Sequence, residues 1–153
     1  MIAVDYNNED EVLNVSGEWI DLKPKRTIWD NDQNFNLETG DIEVAETGIY
    51  LSTLKMTLTN VTNISKVELF IFKRLPDGDD QWFELDTKFS GDIHDGVVKL
   101  SFATTFDFYN EEKYCFKIKL HKADENLDCE ATIVGDDDYT AWDFSYLREL
   151  VIL

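Results

Sequence analysis

The sequence predicts an all-β chain, an antiparallel β-sandwich or barrel of about ten short strands. Three observations carry that expectation. Segments rich in Val, Ile, Thr, Phe, Tyr and Trp recur at short intervals; seven glycines and two prolines lie between them; and no segment shows a convincing helical period. A chain of 153 residues with 43% hydrophobic and 13% aromatic residues can close one core, so its 32 acidic against 14 basic residues mark a charged surface rather than disorder.

Taken in order, residues 1–18 carry little alternation and are expected to form an N-terminal arm or linker. One domain is expected over 19–147, and 148–153 reads as an apolar C-terminal tail. Strands are predicted near Trp19 to Leu22, Thr27 to Trp29 and Ile42 to Val44. From Ile49 to Leu58, period two puts Tyr50, Ser52, Leu54, Met56 and Leu58 on a core side and Ile49, Leu51, Lys55 and Thr57 on a mixed side. From Val67 to Arg74, Val67, Leu69 and Ile71 oppose Phe70 and Phe72, so both sides are apolar and a second layer or subunit is expected to cover the outer one. Strands near Trp82 to Lys88 and Val97 to Thr104 follow. Between Lys113 and His121 the alternation is clearest: Tyr114, Phe116, Ile118 and Leu120 form an apolar face, and Cys115, Lys117, Lys119 and His121 the opposite one. Ala131 to Val134 and Ala141 to Leu147 complete the set, with polar turns at Asn60 to Ser65, Pro76 to Asp80, Gly91 to Gly96, Asp107 to Glu112 and Gly135 to Thr140.

A net charge of −18 repels phosphate polymers and anionic lipid, so nucleic acid and membrane surfaces are poor partners. No apolar run approaches the ~20 residues of a membrane span, and the first residues lack the basic and apolar regions of a signal peptide, which predicts cytoplasmic synthesis. Asn14, Asn60 and Asn63 each open an N-glycosylation pattern, expected to be unused for that reason. Cys115 and Cys129 have no metal or redox spacing and opposed strand parity, so two free thiols are expected.

Catalysis has little support. His94 sits in a Gly/Asp turn, His121 ends a strand among lysines, and neither Ser90 nor Ser101 lies in a nucleophile motif. Glu84 and Asp86 share a predicted strand face, a weak signal in so acidic a chain. Asp30, Asp32 and Asn34 imitate the start of an EF-hand loop, but Phe35 stands where its glycine is needed and Asp41 where its bidentate Glu belongs. Asp77, Asp79 and Asp80, and Asp136 to Asp138, read as solvated turns. No catalytic residue, metal or cofactor is assigned. Lys117, Lys119 and His121, with Lys113 and Lys122 at the ends, form a basic stripe suited to an acidic loop of a neighbouring copy, or to a solubilising face. Of Trp19, Trp29, Trp82 and Trp142, expected mainly to fill the core, Trp82 follows an acidic turn and is the candidate for contact with a host-surface glycan.

Two segments carry a family resemblance. Glu46-Thr47-Gly48-Ile49-Tyr50-Leu51, opening a long strand, and Trp142-Asp143-Phe144-Ser145-Tyr146-Leu147, a final aromatic-Ser-aromatic-Leu strand, resemble TNF-like jelly rolls, the fold shared with complement-type globular heads. Ile28-Trp29-Asp30 with Phe35 is similar to short segments preceding the core strands in phage versions. The glycine usual beside Ser145 is missing, and Glu111-Glu112-Lys113 replaces a common Gly-Asp turn. The resemblance implies a homotrimer and a non-enzymatic role. In phages it implies a part of the capsid exterior, a decoration protein or head fibre docked on a capsid or other virion protein. Tyr50, Phe70, Phe72, Phe116, Phe144 and Tyr146 are then the expected interface aromatics. The tail residues Leu150, Val151, Ile152 and Leu153 are expected either to dock on a neighbour or to extend the chain's own sheet. The alternative is a carbohydrate-binding module built on Trp82.

Overall fold

A computed structural model describes residues 2–30, 34–75, 80–82 and 89–149, of which 29, 30, 80–82, 89 and 90 are described by backbone alone. These residues form thirteen strands and no helix: β1 (Ile2–Asp5), β2 (Glu11–Leu13), β3 (Ile20–Asp21), β4 (Arg26–Asp30), β5 (Gly48–Thr62), β6 (Ile64–Arg74), β7 (Asp80–Trp82), β8 (Phe89–Gly91), β9 (Ile93–His94), β10 (Val97–Phe108), β11 (Lys113–Lys122), β12 (Glu130–Ile133) and β13 (Ala141–Arg148). No helix among them is long and apolar enough to cross a membrane.

All pairings are antiparallel, and they make an eight-stranded and a five-stranded sheet. β5 is the spine of the larger one. Along one edge it pairs with β10 from Gly48 to Leu58; along the other it takes β13 over its first half and β12 over its second. β1 and β4 continue beyond β13, and β2 beyond β12. In the smaller sheet β11 lies between β3 and β6, while β7 and β8 share the far edge of β6.

The inward positions of the two sheets meet as a layer of rings, because aromatic side chains supply most volume per residue in a core this thin. Phe116 of β11 lies 5.8 Å from Trp142 and 5.9 Å from Phe144 of β13, centroid to centroid. Phe108 of β10 lies 4.5 Å from Tyr114 of β11. Phe116 and Phe144, expected from sequence at a subunit interface, are thus 1% and 0% exposed inside the sandwich and available to no partner.

Residues 2–5 and 11–13 correct the expected arm. β1 is an interior strand between β13 and β4, and β2 pairs with β12, so both belong to the sandwich. Buried Ile2, Val4 and Tyr6 account for this, since three apolar side chains at period two are enough when both neighbouring strands are present. Ile42 to Val44 makes only isolated bridges through Ile42, to Phe35 and Tyr114. The predicted turn at Asn60 to Ser65 contracts to a tight hairpin at Asn63, because Asn60 and Asn63 take positive φ, which asparagine tolerates better than most residues. The Asn63 amide donates to the carbonyls of Asp124 and Leu127 at 2.8 Å each and accepts from the Asp124 N–H, which fastens the β11–β12 loop to the hairpin.

Candidate functional site

The two sheets turn opposite faces outward. On the eight-stranded sheet, register sets Ala103 beside Thr53, Thr53 beside Asp143, and Asp143 beside Ala3, in one row across β10, β5, β13 and β1. The next row holds Thr105, Leu51 and Ser145. Apart from Leu51 and Asp143 these are short side chains, with Lys55 in the row beyond and Lys99 and Asp107 further along β10, so the face is flat and polar. Ile28 and Leu147 stand at its margins, 54% and 52% exposed. Between the margins lies a shallow hollow of about 280 Å³ lined by Ala3, Ile28, Thr53, Lys55, Ala141 and Asp143. That volume falls just below the roughly 300–1,000 Å³ of small-molecule sites and suits one or two inserted side chains.

At the rim, Gly48 opens β5 against the end of β13. A Cβ at Gly48 would stand 2.5 Å from the Tyr146 ring and 2.6 Å from the Arg148 carbonyl, so only glycine lets the strands approach. A register shift between Tyr146 and Arg148 leaves Leu147 opposite no partner and directs it outward. Tyr50 is buried, with its hydroxyl donating to the Glu46 carbonyl at 2.6 Å, and Tyr146 lies edge-on to it at 5.4 Å while remaining 37% exposed. Of the aromatics predicted for an interface, only Tyr146 is offered to a partner by this sheet.

The outer face of the five-stranded sheet is charged and aromatic. Phe70 and Phe72 do point outward, but the Trp19 ring of the same chain packs edge-on to both, at 5.1 and 5.3 Å. Part of the cover expected over the outer side of β6 is thus Trp19 of the same chain. Nζ of Lys119 lies 5.4 Å above the Trp19 ring, and Nζ of Lys117 lies 5.4 Å above Phe72 and 3.5 Å from Asp21. Glu68, buried in the middle of the face, is contacted by Lys66 at 3.2 Å and by His121 at 2.7 Å. The basic stripe therefore finds much of its counter-charge at home. Trp82 is opposite Phe72 in the ladder, which places it at this sheet's edge.

Among the described residues the catalytic candidates do not converge. His94 ends β9 beside Asp95 and is exposed, and Ser101 is exposed on β10, in the other sheet from His121. Glu84 and Asp86 lie outside the described residues, as do Asp32, Asp77, Asp79 and Leu150 to Leu153. The hollow bounded by Asp41, Lys73, Arg74, Glu111, Glu112 and Lys113 holds charges that neutralise one another: Arg74 to Asp41 at 2.9 Å, Lys73 to Glu112 at 2.5 Å. Burial disfavours the Arg74 charge, yet the Cys115 thiol and the Asp41 and Asp21 carboxylates raise its pKa further. Burial also pushes the Tyr6 and Tyr114 hydroxyls up, leaving both neutral and structural. Asp136, Asp137 and Asp138 are exposed; Asp136 accepts from the backbone N–H of Asp138, Tyr139 and Thr140, the work of a turn. Cys115 and Cys129 are both buried, and no disulfide joins them.

Leu51, Thr53, Ala103, Ser145 and Leu147, which make the flat face, were not singled out by sequence. Their only signal is parity opposite the core residues of β5, β10 and β13, and Ala and Thr carry no chemistry of their own to mark them.

No protein-family model and no curated protein matches the chain. Solved structures do. The Eiger TNF from S. frugiperda superposes with a TM-score of 0.69 at 10% identity, covering 99% of this chain and 94% of that one. The globular domain of zebrafish complement 1qA protein gives 0.58 at 8% identity over 97% and 98%, and murine APRIL at pH 5.0 gives 0.58 at 14% over 91% and 100%. The fold is the TNF-like jelly roll.

Proposed function

We propose that this chain is a non-catalytic, self-associating jelly-roll module, assembled as a homotrimer through the outer face of the eight-stranded sheet and displayed on a virion exterior as a capsid decoration or head-fibre part. One observation carries the self-association. Among the described residues, every large hydrophobic side chain that is exposed on a strand, namely Val12, Ile28, Tyr146 and Leu147, belongs to the eight-stranded sheet, and none belongs to the other. An apolar margin around a flat row of Ala, Thr and Ser permits close approach of a second rigid surface with little desolvation cost. The threefold symmetry is supported by the likeness of fold to TNF and complement globular domains. The virion setting is supported by the phage-like Ile28-Trp29-Asp30 segment and the apolar run Leu150 to Leu153.

Size-exclusion chromatography with light scattering tests the assembly. The expected mass is three times 17.8 kDa at micromolar concentration, falling to one copy in Leu51→Asp/Ala103→Asp, with an unchanged far-ultraviolet circular dichroism spectrum. A wild-type monomer overturns the reading. Micrographs of particles carrying the protein test its location, and deletion of Leu150 to Leu153 is expected to lower its occupancy there.

A further inference from the structure

We propose that Lys55 and Asp143, which line the hollow on the outer face of the eight-stranded sheet, form ion pairs between copies of this chain and fix how those copies register. The inference rests on the assembly reading and names what fills the hollow, the charged side chains of a second copy. Lys55 of β5 stands opposite Ala141 of β13, and Asp143 of β13 opposite Thr53 of β5, so the two are diagonal neighbours on adjacent strands. Such diagonals lie about 7–8 Å apart, within reach of a lysine side chain. Neither group, however, makes an ion pair among the described residues. The other outward carboxylates behave differently: Asp5 is met by Arg26, and Glu68 by Lys66 and His121, all of the same chain. Lys55 is exposed and Asp143 half-buried, so both charges are still available to a partner.

The signs decide the occupant. The hollow is walled by one cation and one anion together with Ala3, Ile28 and Ala141, and Lys99 and Asp107 add one charge of each sign on β10. In a chain of net charge −18 this balance is local to the face. A partner of uniform charge would match one sign and oppose the other, whereas a copy of the same chain brings both. Covering either group unpaired would set its desolvation against the small gain from the short side chains around it. Around a threefold axis beside the hollow, groups on adjacent strands alternate, lysine and aspartate in turn, so each ammonium gains a neighbour's carboxylate on the side its own chain leaves open. The pair then supplies the selectivity that a flat row of Ala, Thr and Ser lacks.

The full chain, as an equal mixture of isotopically light and heavy protein, would be treated with a zero-length carbodiimide, which joins a lysine amine only to a carboxylate it touches, and the linked peptides weighed by mass spectrometry. Lys55–Asp143 links of mixed isotope are expected. They are read on the wild-type chain, so the result does not depend on a variant folding. Lys55→Glu and Asp143→Lys are each expected to raise the concentration at which the trimer half-dissociates by about tenfold or more, and the combined swap to recover most of that loss. Links of one isotope only, no link at Lys55, or a swap that recovers nothing, in a sample that light scattering shows to be trimeric, would overturn the pair and leave the assembly reading standing. A wild-type monomer overturns both, and a monomer whose Asp143 links to added hexalysine gives the hollow to a cationic partner instead.

Discussion

Asp5 and Glu68 are both buried carboxylates on outward strand positions, one on each sheet, and their placement differs. Asp5 belongs to β1 and is held at the sheet margin by Arg26 of β4, whose Nε donates to it at 2.9 Å. The middle of the eight-stranded face carries mostly Ala, Thr, Ser and Leu, with Asp143 and Lys55 among them. Glu68 occupies the middle of the five-stranded face, where Lys66 and His121 meet it. The lesson is that a sheet whose outward side chains are mostly short presents a surface other proteins can cover, whereas one with a central carboxylate met by its own lysine and histidine, and rings met by Trp19, has already satisfied much of itself within the chain.

The largest expected effect comes from removing what both faces stand on. Phe116→Ala empties the contact between β11 and β13 and is expected to cost about 3–5 kcal/mol, read as a lower urea midpoint with loss of assembly. A trimer kept at a lowered midpoint would show that the assembly face does not depend on this contact. Gly48→Ala acts on one sheet alone. Its Cβ forces Tyr146 or the Arg148 carbonyl to move, an overpacking cost of about 1–3 kcal/mol. Trimer yield, measured by light scattering, should fall. The smallest effect is one of pH. Burial raises the Asp5 carboxyl, but the Arg26 hydrogen bond, the Asn7 N–H and the Arg26 charge outweigh it and hold the pKa below its ordinary value of 3.8. A depressed folded pKa contributes stability above the unfolded value and loses it as pH falls through the folded one. Asp5→Asn should therefore flatten the acid limb of a stability–pH curve measured by urea unfolding; an unaltered limb would place the acid sensitivity elsewhere.

Much of this was legible in the residues. Tyr114, Phe116, Ile118 and Leu120 declare β11, and their parity already assigns them to one buried side, which is why Phe116 cannot serve as an interface. Phe70 and Phe72 could not be read so easily. Alternation says that a strand is apolar on both sides, but what covers the outer side is a long-range matter, and here it is Trp19 from a segment far earlier in the chain. β1 was missed because four residues followed by asparagines and acids give period two too little length; its stability comes from β4 and β13. The flat face was hidden for the opposite reason, since Ala103 and Thr53 signify something only when register sets them side by side.

The hairpin clamped by Asn63 has a geometric corollary. Thr62, Ile64, Lys122, Glu130 and Leu13 all lie at that end of their ladders, while Ile2, Gly48, Phe108 and Arg148 lie at the other. The molecule consequently has two poles. Cargo or an anchor fused ahead of Ile2, or after the last strand, would emerge from one pole only, and the asparagine-rich tip would point away from whatever holds the base.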